Sequence, residues 1–299
     1  MKRFLTLALA LSSVGFIAVG TASAMSIDTY NDGDAANGIG SSRHNLGSFG
    51  MHVTTSGTTE ICVFCHTPHH TNTTRAPLWN RGNSSAAYTA YGSTIANTNV
   101  ANGDLGPTTL ACLSCHDGVT TLDNIVNAPG KGGAGIGNPN GADAGWSFYE
   151  DGGQVSDAAV SSRLVIGTDL SNDHPVSITY FGEDSATPRA SLRDTSTFLS
   201  AINLTADLAA SASTYDGGNL TKNLWAVKGY VSAAATIGDL LRNGKVECSS
   251  CHDPHFNNKS FNEVDATYGM GGESDSNGLF LRRVGGNTGS GVCRTCHNK

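Results

Sequence analysis

Four copies of one short motif contain all eight cysteines of the 299-residue sequence. In each copy, two cysteines are separated by two residues, and a histidine follows the second cysteine at once. The copies are Cys62-Val-Phe-Cys65-His66, Cys112-Leu-Ser-Cys115-His116, Cys248-Ser-Ser-Cys251-His252 and Cys293-Arg-Thr-Cys296-His297. Thiols and imidazoles are side chains with which proteins bind transition metals and metal cofactors, so the motif indicates chemistry of that kind.

The spacing C-x-x-C-H is the attachment sequence of a c-type haem, in which two thiols add to the vinyl groups of one porphyrin and the adjacent histidine binds the iron. Two alternatives stay open, because paired C-x-x-C units also form four-cysteine zinc sites and an even cysteine count is compatible with disulfides. Neither alternative needs a histidine after every second cysteine. The sequence therefore predicts four covalently bound haem c groups, with these proximal iron ligands: His66, His116, His252 and His297.

Six further histidines are available as second iron ligands: His44, His52, His69, His70, His174 and His255. Imidazole is a good axial ligand, so the chain can place two histidines at every iron and still have two to spare. This supply makes a methionine ligand, for which Met51 and Met270 are the candidates, unnecessary. A solvated surface histidine is the alternative role for each of the six.

An internal repeat selects four of these six histidines as distal ligands. His69 follows Cys62 by seven residues within CHTPH, and His255 follows Cys248 by seven residues within CHDPH. Each half of the chain also has a histidine upstream of its first motif, and a second motif after it. This duplication of a dihaem unit predicts the distal ligands, which are His44, His69, His174 and His255. His52 and His70 have no counterpart in the other half, so we expect surface positions for them.

Pro68 restricts which iron His69 can reach. A proline between His66 and His69 turns the backbone away from continued helix, so His69 cannot fold back to the opposite face of its own haem. We expect His69 to ligate the next haem, which would hold two porphyrins close together. The same reasoning assigns His255 to a neighbouring haem, and leaves His44 and His174 for the remaining irons.

The N-terminal sequence has the layout of a secretory signal peptide over residues 1–24, with Lys2 and Arg3 before an apolar run that ends in Ala22-Ser-Ala24. A retained membrane anchor is the alternative, although the apolar run is short and interrupted. After removal of this segment we expect no membrane span and an exported protein, periplasmic or extracellular. The formal charge of −7 becomes −9 without Lys2 and Arg3, which argues against nucleic acid as a partner.

The composition predicts a mostly irregular, loop-rich fold with short helices and few short strands, built around stacked haems. Only 14% of the residues are charged and 37 are glycine, so the polypeptide by itself offers few long periodic segments. We divide the mature chain into an N-terminal dihaem unit (25–126), a Gly-rich linker or loop (127–165) and a C-terminal dihaem unit (166–299). Asn243-Gly244 predicts a tight turn just before the third motif.

The motifs and their surroundings resemble a known family, the tetrahaem members of the multihaem c-type cytochromes of metal-reducing bacteria of the Geobacter type. The resemblance is carried by residues 44–46 (HNL), 62–69 (CVFCHTPH), 76–81 (APLWNR), 112–118 (CLSCHDG), 173–176 (DHPV), 246–255 (VECSSCHDPH) and 280–282 (FLR). It implies electron transport to redox partner proteins or extracellular acceptors. Some members polymerise into extracellular filaments in which a histidine of one subunit ligates a haem of the next.

Three functions are compatible with these residues, and the supply of histidine ranks them. Two histidines at every iron leave no position open for a substrate, so an electron carrier without enzymatic activity is the leading prediction. The alternative is a subunit of a polymeric cytochrome filament with haem ligation between subunits. A multihaem reductase is less favoured, because such an enzyme keeps one iron open and here histidine is in surplus.

Overall fold

A computed structural model of the chain describes residues 39, 42–50, 53–91, 104–128, 142–143, 145–150, 153–155, 165–180, 191–204, 223–227, 230–255, 280–283, 287 and 290–298. All four C-x-x-C-H motifs lie in these ranges. The predicted signal peptide and His52 lie outside the described residues. Within the described ranges, no helix is long and apolar enough to cross a membrane.

The helices are short, and most of them contain a cysteine motif. They are α1 (Pro107–His116), α2 (Ile237–Leu240), α3 (Cys248–Cys251) and α4 (Gly291–Cys296). The first motif begins in a 3-10 turn, Cys62–Phe64, and a second such turn covers Leu199–Ala201. Pro107 starts α1, where its missing N–H has no helical partner to lose.

The strands are two or three residues long and pair in small antiparallel groups. They are β1 (Val53–Thr55), β2 (Asn124–Ile125), β3 (Ala142–Asp143), β4 (Phe148–Glu150), β5 (Gly153–Val155), β6 (Ile178–Thr179), β7 (Trp225–Val227), β8 (Tyr230–Ser232) and β9 (Lys245–Val246). The pairings are β1-β4-β5, β2-β3, β6-β9 and β7-β8. The predicted irregular, loop-rich chain with short helices and short strands is thereby confirmed, although the strands are more than a few.

Part of the segment predicted to be a linker, residues 127–165, packs against the N-terminal unit. Strands β3, β4 and β5 belong to this segment, and β4 pairs with β1 so that Thr54 lies opposite Tyr149. Trp146 and Phe148 are buried and contact the ring of Phe64, with centroids 5.8 and 6.2 Å away. The Gly-rich composition of this segment predicted a linker, but its two buried aromatic side chains each bury a large apolar area and hold it against the N-terminal unit.

Cysteines of the first, second and fourth motifs pack against two apolar cores. The first core consists of Leu46, Val53, Phe64, Leu122, Ile125, Trp146 and Phe148, and Cys65 and Cys115 pack against it. The second consists of Tyr180, Leu199, Ile202, Leu204, Trp225, Val227, Ala235, Ile237, Leu240 and Leu241, and Cys296 packs against it. Each core therefore positions cysteine side chains rather than enclosing them completely.

Candidate functional site

The thiols of successive motifs are neighbours in space. Burial, and then the nearby Cys115, raise the pKa of Cys65 to about 12, which links the first motif to the second. A hydrogen bond between Cys112 and Cys248 raises the pKa of the former and lowers that of the latter, which links the second motif to the third. All eight cysteines lie in the described part of the chain, and all are free thiols.

The third and fourth motifs are in contact in the same way. Burial raises the pKa of Cys251 to about 12, and the next cause in size is Cys296 of the last motif. The four pairs of thiols therefore follow one another in space in the order in which they occur in the sequence. Their high pKa values mean that buried thiols such as Cys65 and Cys251 are protonated at neutral pH, unlike the reactive thiolates of redox catalysts.

Two pairs of imidazole rings are separated by nearly the same distance. The ring centroids of His66 and His255 lie 6.0 Å apart, and the ring planes differ by 15°. The centroids of His44 and His116 lie 6.2 Å apart, and these planes are perpendicular at 90°. Each pair combines a histidine of a C-x-x-C-H motif with one that the sequence assigned as a distal ligand. The first pair joins the two halves of the chain.

Hydrogen bonds fix the tautomer of three of these candidate ligands. The Nδ1 atom of His66 lies 3.2 Å from the carbonyl oxygen of Pro77, and that of His174 lies 3.0 Å from its neighbouring Pro175 carbonyl. The Nδ1 atom of His255 lies 2.9 Å from a carboxylate oxygen of Asp253. These oxygens only accept, so each Nδ1 carries the hydrogen and the lone pair of the neutral ring is on Nε2. Metal-ligating histidines are oriented in this way.

His44 has the most perturbed environment of the candidate ligands. Burial, followed by the neighbouring His116, lowers its pKa to about 4, and a backbone hydrogen bond with Pro254 opposes part of that shift. Its ring is therefore neutral at pH 7, as a metal ligand must be. The Nδ1 atom of His44 is buried with no hydrogen-bond partner, and the Phe280 ring lies 4.3 Å away. A buried polar atom without a partner needs an explanation, and a bound group that accepts its lone pair would supply one.

Five of the histidines in the described part of the chain are exposed: His69, His70, His174, His252 and His255. His69 is exposed, and its backbone carbonyl accepts hydrogen bonds from Thr67 and Asn127, whereas its ring contacts no other ring among the described residues. His70 is exposed, with a left-handed φ of 53°. His252 is exposed and His297 is partly buried.

Two equivalent segments, residues 78–81 and 280–283, run along the first motif of each half, and we call them the straps. In the first half, the N–H of Thr67 donates to the carbonyl of Leu78 at 2.9 Å. In the second half, the N–H of Asp253 donates to the carbonyl of Phe280 at 2.8 Å. Leu78 and Phe280 both have the left-handed backbone that non-glycine residues rarely adopt, with φ of 57° and 61°. The duplication therefore extends beyond the motifs.

Sequence reasoning did not align the straps, because their spacing from the motif differs. Leu78 follows Cys62 by 16 residues, whereas Phe280 follows Cys248 by 32. The available signal was the short similarity of LWNR at 78–81 to FLRR at 280–283, which ends in arginine in both halves. Both terminal arginines are fully buried.

Arg81, the last residue of the first strap, is bonded to the segment around the second motif. Its guanidinium donates hydrogen bonds to the carbonyl oxygens of Ser114 at 3.1 Å, Leu122 at 2.7 Å and Thr121 at 2.5 Å. Ser114 lies between Cys112 and Cys115, so one buried side chain holds the second motif against the strap of the first.

Arg283, the last residue of the second strap, has a similar role through an intermediate side chain. Its Nε donates to the amide oxygen of Asn223 at 2.8 Å, and the amide nitrogen of Asn223 donates to the Thr295 hydroxyl at 3.0 Å. Thr295 lies in the fourth motif at the place that Ser114 has in the second. The Arg283 guanidinium also packs against Gly291 at the start of α4, where a Cβ atom would lie 2.5 Å from its central carbon.

Glu247 joins the helices of the second and third motifs. Its buried carboxylate accepts hydrogen bonds from the hydroxyl of Thr109 in α1 and from that of Ser177 at 3.0 Å. At the start of α3 it forms a capping box with Ser250. The backbone of Gly106 passes so close that a Cβ atom there would lie 2.0 Å from the carboxylate, so a larger residue would displace the Glu247 side chain. Partial positive charge at the start of α1 favours the carboxylate there.

The donor set fits haem better than a bare metal ion. A porphyrin supplies four nitrogens to its iron, so the protein needs to add only two imidazoles on opposite sides, as in the two ring pairs. A structural zinc site needs four protein ligands. Among the described residues, which include all eight cysteines, no group of three or more histidine, cysteine or acidic side chains is arranged to hold a metal ion.

Comparison with known proteins gives no match, either to a protein-family model or to a curated protein.

Proposed function

We propose that the protein is an electron-transfer cytochrome with four covalently bound haem c groups and two histidine ligands at each iron. The observation that carries this proposal is the pairing of motif histidines with distal candidates, His66 with His255 and His44 with His116, at 6.0 and 6.2 Å. The contiguous order of the four thiol pairs supports a further element of it, a row of closely spaced haems.

When bound, each haem supplies a one-electron Fe(III)/Fe(II) couple. The chain's own cysteines would attach the porphyrins and its histidines would bind the irons, and burial lowers the pKa of two of them, His44 and His66. Since no axial position stays open, the protein exchanges electrons with partners instead of converting a substrate. A multihaem reductase needs an open iron, which the paired histidines disfavour. We propose export to the periplasm or the cell exterior, with redox proteins or extracellular acceptors as partners.

Spectroscopy of the matured protein tests this function. We expect four haems per chain, one for each motif, and a ferric spectrum that is low-spin throughout, with no carbon monoxide binding to the reduced protein. The double variant Cys62→Ala/Cys65→Ala is expected to lose one haem in four, and His70→Ala is the matched control that should lose none. Zinc in place of haem, or a high-spin component in the unaltered protein, would contradict the proposal.

A filament subunit is a second candidate, and an asymmetry between the two halves favours it. The ring of His255 in the second half lies 6.0 Å from that of His66 in the first, whereas the ring of His69, which has the equivalent place in the repeat, contacts no other ring among the described residues. Both residues are exposed, so the two equivalent histidines differ in having a motif histidine beside them, and His69 is the one that a second copy of the chain can pair. Contacts of this kind between copies are heterologous, and they generate open chains of subunits.

The exposed ring of His69 makes this candidate testable. We expect purified protein to form filaments visible by electron microscopy, and we expect His69→Ala to leave dispersed subunits in which one haem has become high-spin. His70→Ala, a change to the adjacent exposed histidine, should leave the filaments intact. A wild-type protein that stays monomeric at every concentration, with low-spin haem throughout, would rule out the filament and leave the electron carrier standing.

A further inference from the structure

We infer that His66 and His255 are the two axial ligands of the first haem, and that His44 and His116 are those of the second. This inference rests on the proposed function and makes it specific. It assigns an iron to each of two distal histidines, which the sequence pattern alone left undetermined. It also means that the iron of the first haem is bound by histidines from both halves of the chain.

The spacing of the rings is that of two ligands across one metal. A histidine nitrogen binds a first-row metal at about 2.0–2.1 Å. The centroid of an imidazole lies about 1 Å behind that nitrogen, so two imidazoles on opposite sides of one metal have centroids about 6 Å apart. The observed separations are 6.0 Å for His66 and His255 and 6.2 Å for His44 and His116.

The tautomers argue against a hydrogen bond between the rings of His66 and His255. Aromatic pairs also occur at about 4.5–7 Å, so the distance alone does not decide. Both Nδ1 hydrogens, however, are donated to oxygen atoms, of Pro77 and Asp253 respectively. Each neutral ring keeps its lone pair on Nε2, so neither ring can donate a hydrogen bond to the other. A metal that accepts both lone pairs satisfies this arrangement.

The burial of His44 supports the second pair independently. The Nδ1 atom of His44 is buried without a hydrogen-bond partner, and its ring centroid lies 6.2 Å from that of His116. His116 ends α1 and belongs to the second motif, so the two rings come from segments far apart in the sequence. A buried ring with an unpartnered nitrogen beside a motif histidine is suited to ligate the iron that this histidine would bind.

The ring planes give the two haems different spectroscopic signatures. Nearly parallel imidazole planes, as in His66 and His255, separate the two iron d orbitals that interact with the ligand π systems. Perpendicular planes, as in His44 and His116, leave those orbitals almost degenerate. In electron paramagnetic resonance the first geometry gives a rhombic low-spin ferric signal, and the second gives a highly anisotropic low-spin signal. The axial ligands are one of the features by which a protein sets the electronic properties of a haem iron.

Single replacements in the full four-haem protein test the assignment. His255→Ala is expected to convert one haem in four to a high-spin form that binds carbon monoxide, with loss of a rhombic component. His44→Ala is expected to convert one haem in four with loss of a highly anisotropic component, and the double variant should convert two. Added imidazole should restore the low-spin signals, which a merely structural defect would not allow. His70→Ala is the control that should change nothing.

A three-haem background identifies the iron that His255 serves. When Cys62→Ala/Cys65→Ala has removed the first haem, adding His255→Ala should create no further high-spin haem. A new high-spin haem in that background would overturn the assignment. If this three-haem background does not mature, the single variants test the assignment. Loss of the highly anisotropic component in His255→Ala, or of a rhombic component in His44→Ala, would overturn the assignment. A wild-type chain without haem would instead reject the proposed function, so the two failures are distinguishable.

Discussion

Replacing Glu247 by alanine is expected to lower the free energy of unfolding by about 3–5 kcal/mol, because it removes at least two buried hydrogen bonds to a carboxylate, each worth about 1.5–3 kcal/mol. The hydroxyls of Thr109 and Ser177 would lose their acceptor in a buried site. An unsatisfied buried hydrogen-bonding group costs about 1–3 kcal/mol. Chemical denaturation of the haem-containing protein, followed by its circular dichroism, measures the change.

Two control variants separate these contributions. Glu247→Gln keeps an oxygen that accepts from the Thr109 hydroxyl, so we expect it to be clearly more stable than the alanine variant. Glu60→Ala changes an exposed glutamate and should stay within about 0.5 kcal/mol of the wild type. An alanine variant at position 247 as stable as the Glu60→Ala control would mean that this carboxylate does not join the second motif to the third.

Local signals in the sequence were sufficient for the motifs and for one turn. Asn243-Gly244 predicted a tight turn, and this is confirmed, because both residues have left-handed backbones, with φ of 52° and 76°. Arg242 and Lys245 exchange two backbone hydrogen bonds of 2.9 Å across the turn. The prediction succeeded because asparagine and glycine tolerate positive φ, so the residue types themselves specify this geometry.

The contacts between distant segments were beyond what a single sequence specifies. The pairing of β1 with β4 brings Thr54 opposite Tyr149, and no local pattern encodes a partner almost one hundred residues away. Strands of two or three residues are too short to show a clear alternation of apolar and polar residues. The Gly-rich segment before Trp146 also obscured β4, the strand that packs on the first core. The straps were missed because an insertion of unequal length separates them from their motifs.

The ring pairs show which part of the ligand prediction came from composition and which part required the tertiary structure. Counting histidines predicted enough ligands for every iron, and the repeat proposed which ones to consider. Pro68 excludes His69 as a partner for His66, but which of the other distal candidates lies beside His66 depends on the fold. Asp253 orients His255 from two residues away, whereas His69 has Thr67 in the corresponding place, and this difference was readable in CHDPH against CHTPH.

Replacing Arg81 by alanine is the second change for which we expect a large effect, again about 3–5 kcal/mol of lost stability, because three buried hydrogen bonds from a charged group would be lost. The side chain is fully buried, and it satisfies three carbonyl oxygens of the segment 114–122. Alanine would remove three donors from these buried carbonyls and leave a cavity between the strap and the second motif. Because the segment includes His116, we also expect weakening of the highly anisotropic low-spin signal assigned to the His44 and His116 pair.

Arg81→Lys tests whether geometry or charge is responsible. Lysine keeps the positive charge, but one ammonium group cannot reproduce the planar fork that reaches three carbonyls in different directions. We therefore expect the lysine variant to lose most of the free energy of unfolding that the alanine variant loses. Arg75→Ala is the matched control, since Arg75 is only partly buried and its Nε has no hydrogen-bond partner among the described residues. A lysine variant as stable as the wild type would assign the effect to charge, and would remove the argument that the strap positions the second motif through these three bonds.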